Sequence, residues 1–363
     1  MSAQITNYQC PNCTGPLRFD GATGNLMCDH CMSGFAVSVI EQLYADKEQA
    51  AVTAGVEPQW DITMTNNFSP EEAAYMRGYL CPSCSAEIIC DHTTAATSCP
   101  YCGNPTVVPG QFTGGLKPDY VIPFRLDKNA ATTALLKYYK GKKFLPKSFA
   151  DANHIDEIKG VYVPFWLYDG VTDASMRYRA TKVKTRTQGN WKITDTDHYR
   201  VTREGSVAFE KVPVDASSKM PNAHMDSVEP FNYADLAQFS TAYLPGFLAE
   251  KYDEDANMCA KRANARITES TERAFASTTT GYTTLTKEYS SIKLRQGDVR
   301  YALLPVWLLS TKWNNKNFLF AMNGQTGKLI GDLPVDKGRY WSWFARIALP
   351  IAAVLAVVLF LLV

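Results

Sequence analysis

The longest apolar run of the chain lies at its end, where residues 347–363, IALPIAAVLAVVLFLLV, carry no charge. With residues 343–346 the run reaches about 21 residues, or roughly 31 Å of helix, which matches the hydrocarbon core of a bilayer. Aromatic and positively charged residues precede it, as is typical of the cytoplasmic side of a membrane span; they are Lys337, Arg339, Tyr340, Trp341, Trp343, Phe344 and Arg346. A buried core helix does not explain this flank. The pattern therefore predicts a transmembrane tail anchor over 343–363, with the body on the cytoplasmic side of the inner membrane.

Continuous apolar runs in the middle of the chain predict strands. Residues 161–170, VYVPFWLYDG, and residues 301–310, YALLPVWLLS, each place a tryptophan two residues after a proline. Because proline cannot donate to a ladder, these runs are expected at strand starts or sheet edges. Their likeness predicts an α+β domain of two related halves over 117–335.

Helices are indicated by their first turns. Ser69, followed by Pro70, Glu71 and Glu72, combines a capping serine with a proline and two acids, which favour a helix N-terminus. It closes a predicted helical spacer over 36–77. Asp127 opens a second predicted helix, and residues 255–278 are a third. A hairpin is predicted over 318–333, with its turn at Asn323-Gly324.

The composition describes folded material of more than one domain. The chain has 363 residues, of which 46% are hydrophobic and 20% charged, values typical of globular proteins. The net charge of +1 hides an asymmetry, since residues 1–116 are acidic and the remainder is basic. The first residues contain no apolar run or basic cluster, so no secretory signal peptide is predicted. Cysteines in a reducing compartment are then expected to bind metal and not to form disulfides.

Eight cysteines form two copies of one module, each with two CxxC pairs, and the spacing within the second copy repeats that of the first. They are Cys10, Cys13, Cys28, Cys31, Cys81, Cys84, Cys99 and Cys102. Two such pairs supply four thiolates, which suit tetrahedral zinc and leave no open coordination position. A rubredoxin-like iron site or a redox dithiol is the alternative. The spacing predicts two tandem four-cysteine zinc ribbons, over 1–35 and 78–110, holding two structural zinc ions.

The remaining cysteines and the nearby histidines have simpler interpretations. His30 and His92 lie close to complete sets of four sulfurs, so we expect exposed side chains and not ligands. Cys90 takes the place of Phe19 in the other copy, which predicts a small buried side chain on a strand. Cys259 lies in a predicted helix with no neighbouring base, so packing is expected for it too.

No enzyme site is predicted. The string NGQTGKLIG resembles a phosphate loop, but Met322 stands in place of the first glycine and Leu329 in place of the hydroxyl residue, so a hairpin is favoured. Asp195, Asp197 and His198 are interpreted as a solvated loop. A lysine-rich stretch is either a solvated face or a surface for anionic lipid; it contains Lys137, Lys140, Lys142, Lys143 and Lys147.

The whole chain resembles a bacterial family of membrane proteins described as TFIIB-type zinc ribbon-containing. The resemblance is carried by the CPxC knuckles and by three strings: TAATSCPYCGNP at 94–105, GKKFLPKSF at 141–149 and FEKVPVDASSKM at 209–220. Similar chains are sometimes labelled as primosomal-protein or superfamily II helicase relatives, although a helicase motor needs a phosphate loop. The resemblance implies a role in envelope stress, with phage-shock protein A and flotillin-like SPFH proteins as partners at the inner membrane.

Three functions follow, in order of preference. The first is a membrane-anchored zinc-ribbon scaffold or adaptor that contacts the bilayer through the C-terminal helix and presents cytosolic surfaces to proteins. The second is nucleic-acid binding, which is disfavoured because residues 78–116 contain no Lys or Arg and phosphate contacts supply most of such affinity. The third is an enzyme built on the α+β domain, which rests only on the size of that domain.

Overall fold

The structure is a computed structural model. It describes residues 10–12, 17–21, 23–28, 31–40, 42, 60–62, 66–96, 98–105, 107–110, 116–146, 149, 157–295, 297–314 and 316–362. Within these residues the strands are β1 (Leu17–Asp20), β2 (Asn25–Cys28), β3 (Gly34–Ala36), β4 (Trp60–Asp61), β5 (Met76–Leu80), β6 (Glu87–Asp91), β7 (Val108–Gly110), β8 (Tyr120–Val121), β9 (Lys159–Gln188), β10 (Trp191–Asp215), β11 (Ala237–Gln238), β12 (Leu248–Glu250), β13 (Thr284–Leu294), β14 (Gly297–Trp313), β15 (Lys316–Asn323) and β16 (Leu329–Gly331).

The helices that lie wholly within the described residues are fewer than the strands. They are α1 (Pro70–Ala74), α2 (Lys128–Tyr139), α3 (Asn222–Val228), α4 (Ala256–Ser277) and α5 (Lys337–Leu362), with 3₁₀ turns at Tyr233–Asp235 and Thr241–Tyr243. The predicted first turns are confirmed. Ser69 and Glu72 form a capping box at the start of α1, and the Asp127 carboxylate caps α2. The described part of the predicted helical spacer over 36–77 also contains β4, and residues 43–59 of it lie outside the described residues.

The chain divides into two compact units made of interleaved segments. The arm unit comprises residues 1–59, 172–207 and 271–295, and the core unit comprises residues 60–171, 208–270 and 296–363. Strands β9 and β10 and helix α4 each contribute residues to both units. A division of this kind cannot be recognised from sequence order alone.

The core unit is built around the antiparallel pair β9 and β14. Trp166 lies opposite Tyr301, and Trp307 lies opposite Gly160. Strand β12 runs parallel to β9, and β8 runs parallel to β14, so the sheet is mixed. Both of its faces are covered: one by the hydrophobic cluster that contains the second set of cysteines, the other by α2. Burial on both faces explains why these strands read as continuous apolar runs.

The two prolines predicted at strand starts or sheet edges lie inside the central strands, so that prediction is wrong. Pro164 and Pro305 are both paired within the β9–β14 ladder. The carbonyl of Pro164 accepts the N–H of Ala216 (2.9 Å), and that of Pro305 accepts the N–H of Gly324 (2.8 Å). The N–H and C=O of one residue in an antiparallel strand point to the same side. The positions where Pro164 and Pro305 lack an N–H therefore face away from the β9–β14 ladder. On that side of β9 the neighbouring segment changes from β12 to the end of β10, and on that side of β14 it changes from β8 to β15.

The arm unit contains the outer halves of β9 and β10 together with β13. One face of β9 packs against Val201 and Phe275, through alternate residues Ala174, Met176, Tyr178 and Ala180. Beyond them, residues 183–188 of β9 and 194–200 of β10 are exposed. Gly189 has φ +61° in the two-residue turn between the strands, as a type II′ turn requires. We call residues 183–200 the distal hairpin.

The predicted α+β fold class is corrected to a mostly β fold with a 13-stranded mixed sheet. The two similar runs were interpreted as two halves of a domain. They are in fact hydrogen-bonded neighbours at the centre of one sheet, and their likeness reflects equivalent burial on both faces.

Among the residues that the structure describes, no helix is both long enough and apolar enough to cross a bilayer. Helix α5 has 26 residues, but Lys337, Arg339 and Arg346 lie within it. Its uncharged part after Arg346 spans about 16 residues, or roughly 24 Å, which is shorter than the hydrocarbon core of a membrane. The predicted transmembrane tail anchor over 343–363, and the single-pass inner-membrane location inferred from it, are therefore wrong.

Candidate metal centres

The second set of cysteines lies on two tight backbone turns. Cys81 follows β5 directly, and its N–H donates to Ala86 O (3.0 Å) while Ser85 N–H donates to Cys81 O (2.8 Å). Cys99 repeats the pattern with Asn104 and Gly103. In each turn the two hydrogen bonds fold the CxxC segment so that both of its sulfurs face the same side, as a zinc knuckle requires.

A left-handed residue occupies the same place in each described turn. Met32, Ser85 and Gly103 all stand four residues after the first cysteine of their CxxC pair, with φ of 58°, 57° and 68°. The turn at Cys28 has the same backbone pair, in which Cys28 N–H donates to Ser33 O and Met32 N–H to Cys28 O. Non-glycine residues adopt this conformation only when the surrounding structure imposes it. The CxxC spacing gave no signal for this feature.

The four sulfurs of the second set form a cluster. Cys81 Sγ lies 3.6 Å from Cys102 Sγ, and Cys84 Sγ lies 3.6 Å from Cys99 Sγ, and all four sulfurs lie within 4.8 Å of one another. A tetrahedral ion with sulfur bonds of about 2.3 Å needs sulfurs roughly 3.8 Å apart. The donor set and its spacing therefore fit a metal ion, and the cluster could hold one.

The electrostatics of the cluster favour a cation. Burial raises the pKa of the Cys84 thiol to about 11 and raises the pKa of Cys99 still further. Burial acts the same way on Cys81, but hydrogen bonds from the backbone N–H groups of Cys84 and Ser83 outweigh it, and the pKa falls to about 7. Four thiolates at this site need a positive charge between them.

The cluster is hydrogen-bonded to the central sheet through residues that the cysteine spacing does not indicate. The hydroxyl of Tyr101, between Cys99 and Cys102, donates to the buried Glu250 carboxylate on β12 (2.6 Å). Lys159, at the start of β9, donates to Ser98 O (2.6 Å). The hydrophobic cluster of the core unit also includes Cys81 and Cys99.

The first set of cysteines is described in part. Cys10, Cys28 and Cys31 form a cluster that could hold a metal ion, and Cys10 Sγ lies 3.5 Å from Cys31 Sγ. Cys13 lies outside the described residues. Strands β1, β2 and β3 form their own sheet beside this cluster. In the same unit, Arg200 donates to Pro11 O (2.8 Å), which connects this turn to β10.

The prediction of two tandem four-cysteine zinc ribbons is corrected accordingly. The described residues bring together one cluster of four cysteines and one of three. The second is not a separate module, because its strand β6 pairs with β12 and so joins the large sheet. A ribbon spacing in sequence does not distinguish a free module from one built into a larger sheet.

The other singled-out residues that the structure describes do not belong to these clusters. Cys90 is buried on β6 and Cys259 on α4, as predicted, and burial raises their pKa values to about 11 and about 12. The ring of His92 packs against Tyr75, and His30 lies outside the described residues. The predicted loop at 195–198 is instead exposed strand within β10. The phosphate-loop-like string is the β15–β16 hairpin, with a turn longer than the predicted two residues.

Comparison with known proteins gives one clear relationship. The chain is 35% identical over 344 residues to "Uncharacterized protein YdjG" of Bacillus subtilis (strain 168), an alignment that covers 95% of this chain and 94% of the relative. The chain belongs to the YdjG family. No family model matches it, and no solved structure does.

Proposed function

We propose that the protein is a zinc-dependent adaptor that presents surfaces to protein partners and acts without catalysis. The observation that supports a structural metal site is the cluster of Cys81, Cys84, Cys99 and Cys102, whose four sulfurs all lie within 4.8 Å of one another. A site closed by four protein ligands leaves no place for substrate or water, so its metal serves structure. In this proposal the three-cysteine cluster of the arm unit holds a second structural zinc ion.

Zinc is proposed over iron on chemical grounds. Thiolates in a tetrahedral set bind both metals, but zinc has no redox chemistry and is the usual ion of closed four-cysteine structural sites. Metal analysis of the purified chain tests this, with about two zinc ions expected per chain. Bound iron would give visible absorbance and would contradict the assignment.

A matched pair of cysteine variants tests the position of the metal. Cys81→Ser removes a ligand of the second cluster and is expected to lower the zinc content by about one ion per chain. Cys90→Ser replaces a thiol that is equally buried but lies outside the cluster, and it should leave the zinc content unchanged. Equal zinc contents in both variants would contradict the assignment of the metal to this cluster.

The adaptor role rests on the distal hairpin. Both of its faces are exposed over residues 183–188 and 194–200, and Trp191 beside its turn is 78% exposed. Exposed aromatic side chains on a rigid element are typical of the centre of a protein interface. The resemblance described above points to phage-shock protein A and SPFH-type proteins as the first partners to test.

A shortened hairpin provides the test. Contacts between Asp173 and Ser206, Ser175 and Glu204, and Thr185 and Thr194 fix the register of β9 and β10. Removing residues 184–187 and 192–195 together therefore preserves the turn. Because four residues leave each strand, every remaining side chain stays on the same face of the hairpin. Pull-down of purified phage-shock protein A or an SPFH-type protein is expected with the full chain and not with the shortened chain. Failure of the full chain to retain either partner, or equal retention by both chains, would count against the adaptor role.

A further inference from the structure

The segment after α2 is fixed against the start of α5 by several independent contacts. The Lys143 ammonium lies 4.3 Å from the ring centroid of Trp343. Phe144 packs edge-on against Tyr340 and Trp343, and the N–H of Asp336 donates to its carbonyl (2.8 Å). Two segments that are far apart in sequence thus form one surface of the core unit.

The two segments that form this surface are strongly basic. Their charges come from the end of α2, from the loop that follows and from α5, namely Lys137, Lys140, Lys142, Lys143, Lys337, Arg339 and Arg346. Neither residues 128–143 nor residues 337–362 contain an acidic side chain. The Asp336 carboxylate just before α5 lies 3.6 Å from Arg339. We call this set of seven side chains the basic collar.

Large apolar side chains stand exposed beside the basic collar. Trp341 is 61% exposed and Phe344 is 53% exposed, and Ile347 continues the exposed series along α5. Tryptophan and phenylalanine next to lysine and arginine are the combination found where a protein meets lipid headgroups, because the rings enter the interface while the cations contact phosphates.

We propose that the basic collar and the aromatic residues at the start of α5 bind an anionic lipid surface, with the protein lying on the headgroup layer. Charge complementarity selects this occupant, since seven cations with a single neighbouring carboxylate, Asp336, suit a layer of lipid phosphates. A nucleic acid would satisfy the cations but would leave the apolar side chains of α5 in water. The contact needs no helix that crosses the bilayer, and it does not depend on the proposed adaptor role.

Flotation of the full chain with vesicles tests this proposal. Vesicles made of two parts phosphatidylcholine to one part phosphatidylglycerol are compared with vesicles of pure phosphatidylcholine. Each lysine near an anionic surface contributes about a factor of five to binding, so Lys140→Gln with Lys142→Gln is expected to weaken binding to the anionic vesicles about thirtyfold. Raising the salt concentration should weaken the binding of the wild-type chain.

Two further variants keep the test specific. Lys140→Arg with Lys142→Arg preserves both charges and should bind like the wild type. Lys184→Gln with Lys192→Gln removes two equally exposed charges from the distal hairpin and should also bind like the wild type. Equal binding to the two kinds of vesicle, absence of binding to either, or equal weakening by the hairpin variant would each overturn the proposal.

Discussion

Glu250 carries a carboxyl group without access to water. It is 2% exposed, and its two oxygens accept hydrogen bonds from Tyr101 and Ser217, at 2.6 and 2.8 Å. Burial raises its pKa to about 8, although the two hydrogen bonds act in the opposite direction. Since Tyr101 lies between two cysteines of the second cluster, this group connects the candidate metal centre with β12.

The raised pKa of Glu250 predicts how stability depends on pH. The folded state holds the Glu250 proton up to about pH 8, whereas the unfolded chain releases it near its ordinary pKa of 4.5. The contribution of this group is therefore fully present below about pH 4.5 and is lost as the pH rises to about 8. In zinc-containing buffers, the free energy of unfolding of Glu250→Gln relative to wild type should rise by on the order of 1 kcal/mol per pH unit across that window.

The exposed Glu87 offers a control for this measurement. Glu87→Gln removes an exposed carboxylate of β6 that lies beside Lys251, and it is measured in parallel as the matched surface variant. A flat difference between Glu250→Gln and wild type from pH 5 to pH 8 would mean that the carboxyl group titrates normally in the folded protein.

At the scale of single residues, the sequence predicted which cysteines cluster better than it predicted the residues that support them. The cysteines could be recognised because a short spacing determines which sulfurs share a turn. Tyr101 and Glu250 could not be paired, since 149 positions separate them and only the completed sheet brings them together. The left-handed Ser85 was not foreseen either, because it is imposed by the turn and is not favoured by the residue type.

At the scale of elements, first turns were predicted well and the places of strands poorly. Asp255 was the predicted start of a helix, and α4 follows it at Ala256. Caps are local, so a few adjacent residues suffice to identify them. The partners of a strand are distant in sequence, and for this reason the buried prolines of β9 and β14 were placed at edges.

The cap of α4 predicts a modest change in stability. The Asp255 carboxylate accepts the N–H of Met258 at 2.8 Å, so Asp255→Ala should lower the free energy of unfolding by about 1 kcal/mol. Asp255→Asn keeps an accepting oxygen and should lose much less. Chemical denaturation of the two variants checks this, and equal losses would show that the side-chain oxygen contributes nothing.

A close approach between β4 and β14 predicts a larger loss. Strand β4 pairs with β14 at Gly297, where an added Cβ would contact the ring of Trp60 and come within 2.5 Å of Asp169 O. Since backbone cannot move aside cheaply, Gly297→Ala should destabilise the protein by about 2 kcal/mol, or roughly 5 °C in Tm. Gly338→Ala in α5 meets only the flexible Asp336 side chain and should not lower the Tm in a thermal melt.

At the scale of the whole molecule, the order of segments along the chain does not indicate which segments fold together. The sequence suggested consecutive domains, whereas each compact unit collects three separate segments. A 30-residue strand such as β9 exceeds usual strand lengths and contributes to both units. Its burial changes from continuous to alternating near Thr172, because its inner half is covered on both faces and its outer half on one.

The different attachments of the two cysteine clusters predict different consequences of metal loss. The second cluster is hydrogen-bonded to β12 through Tyr101 and to β9 through Lys159, so its metal should stabilise the core unit.

Hydrogen exchange measured by mass spectrometry on Cys81→Ser should therefore show lost protection in β6, β12 and the first residues of β9. Cys28→Ser disrupts the other cluster, beside the separate sheet of β1, β2 and β3, and should leave protection in the core unit unchanged. Metal binding contributes its free energy to the folding of the segment that holds the ligands. Loss of core protection in both variants, or in neither, would contradict this assignment of the second cluster to the stability of the sheet.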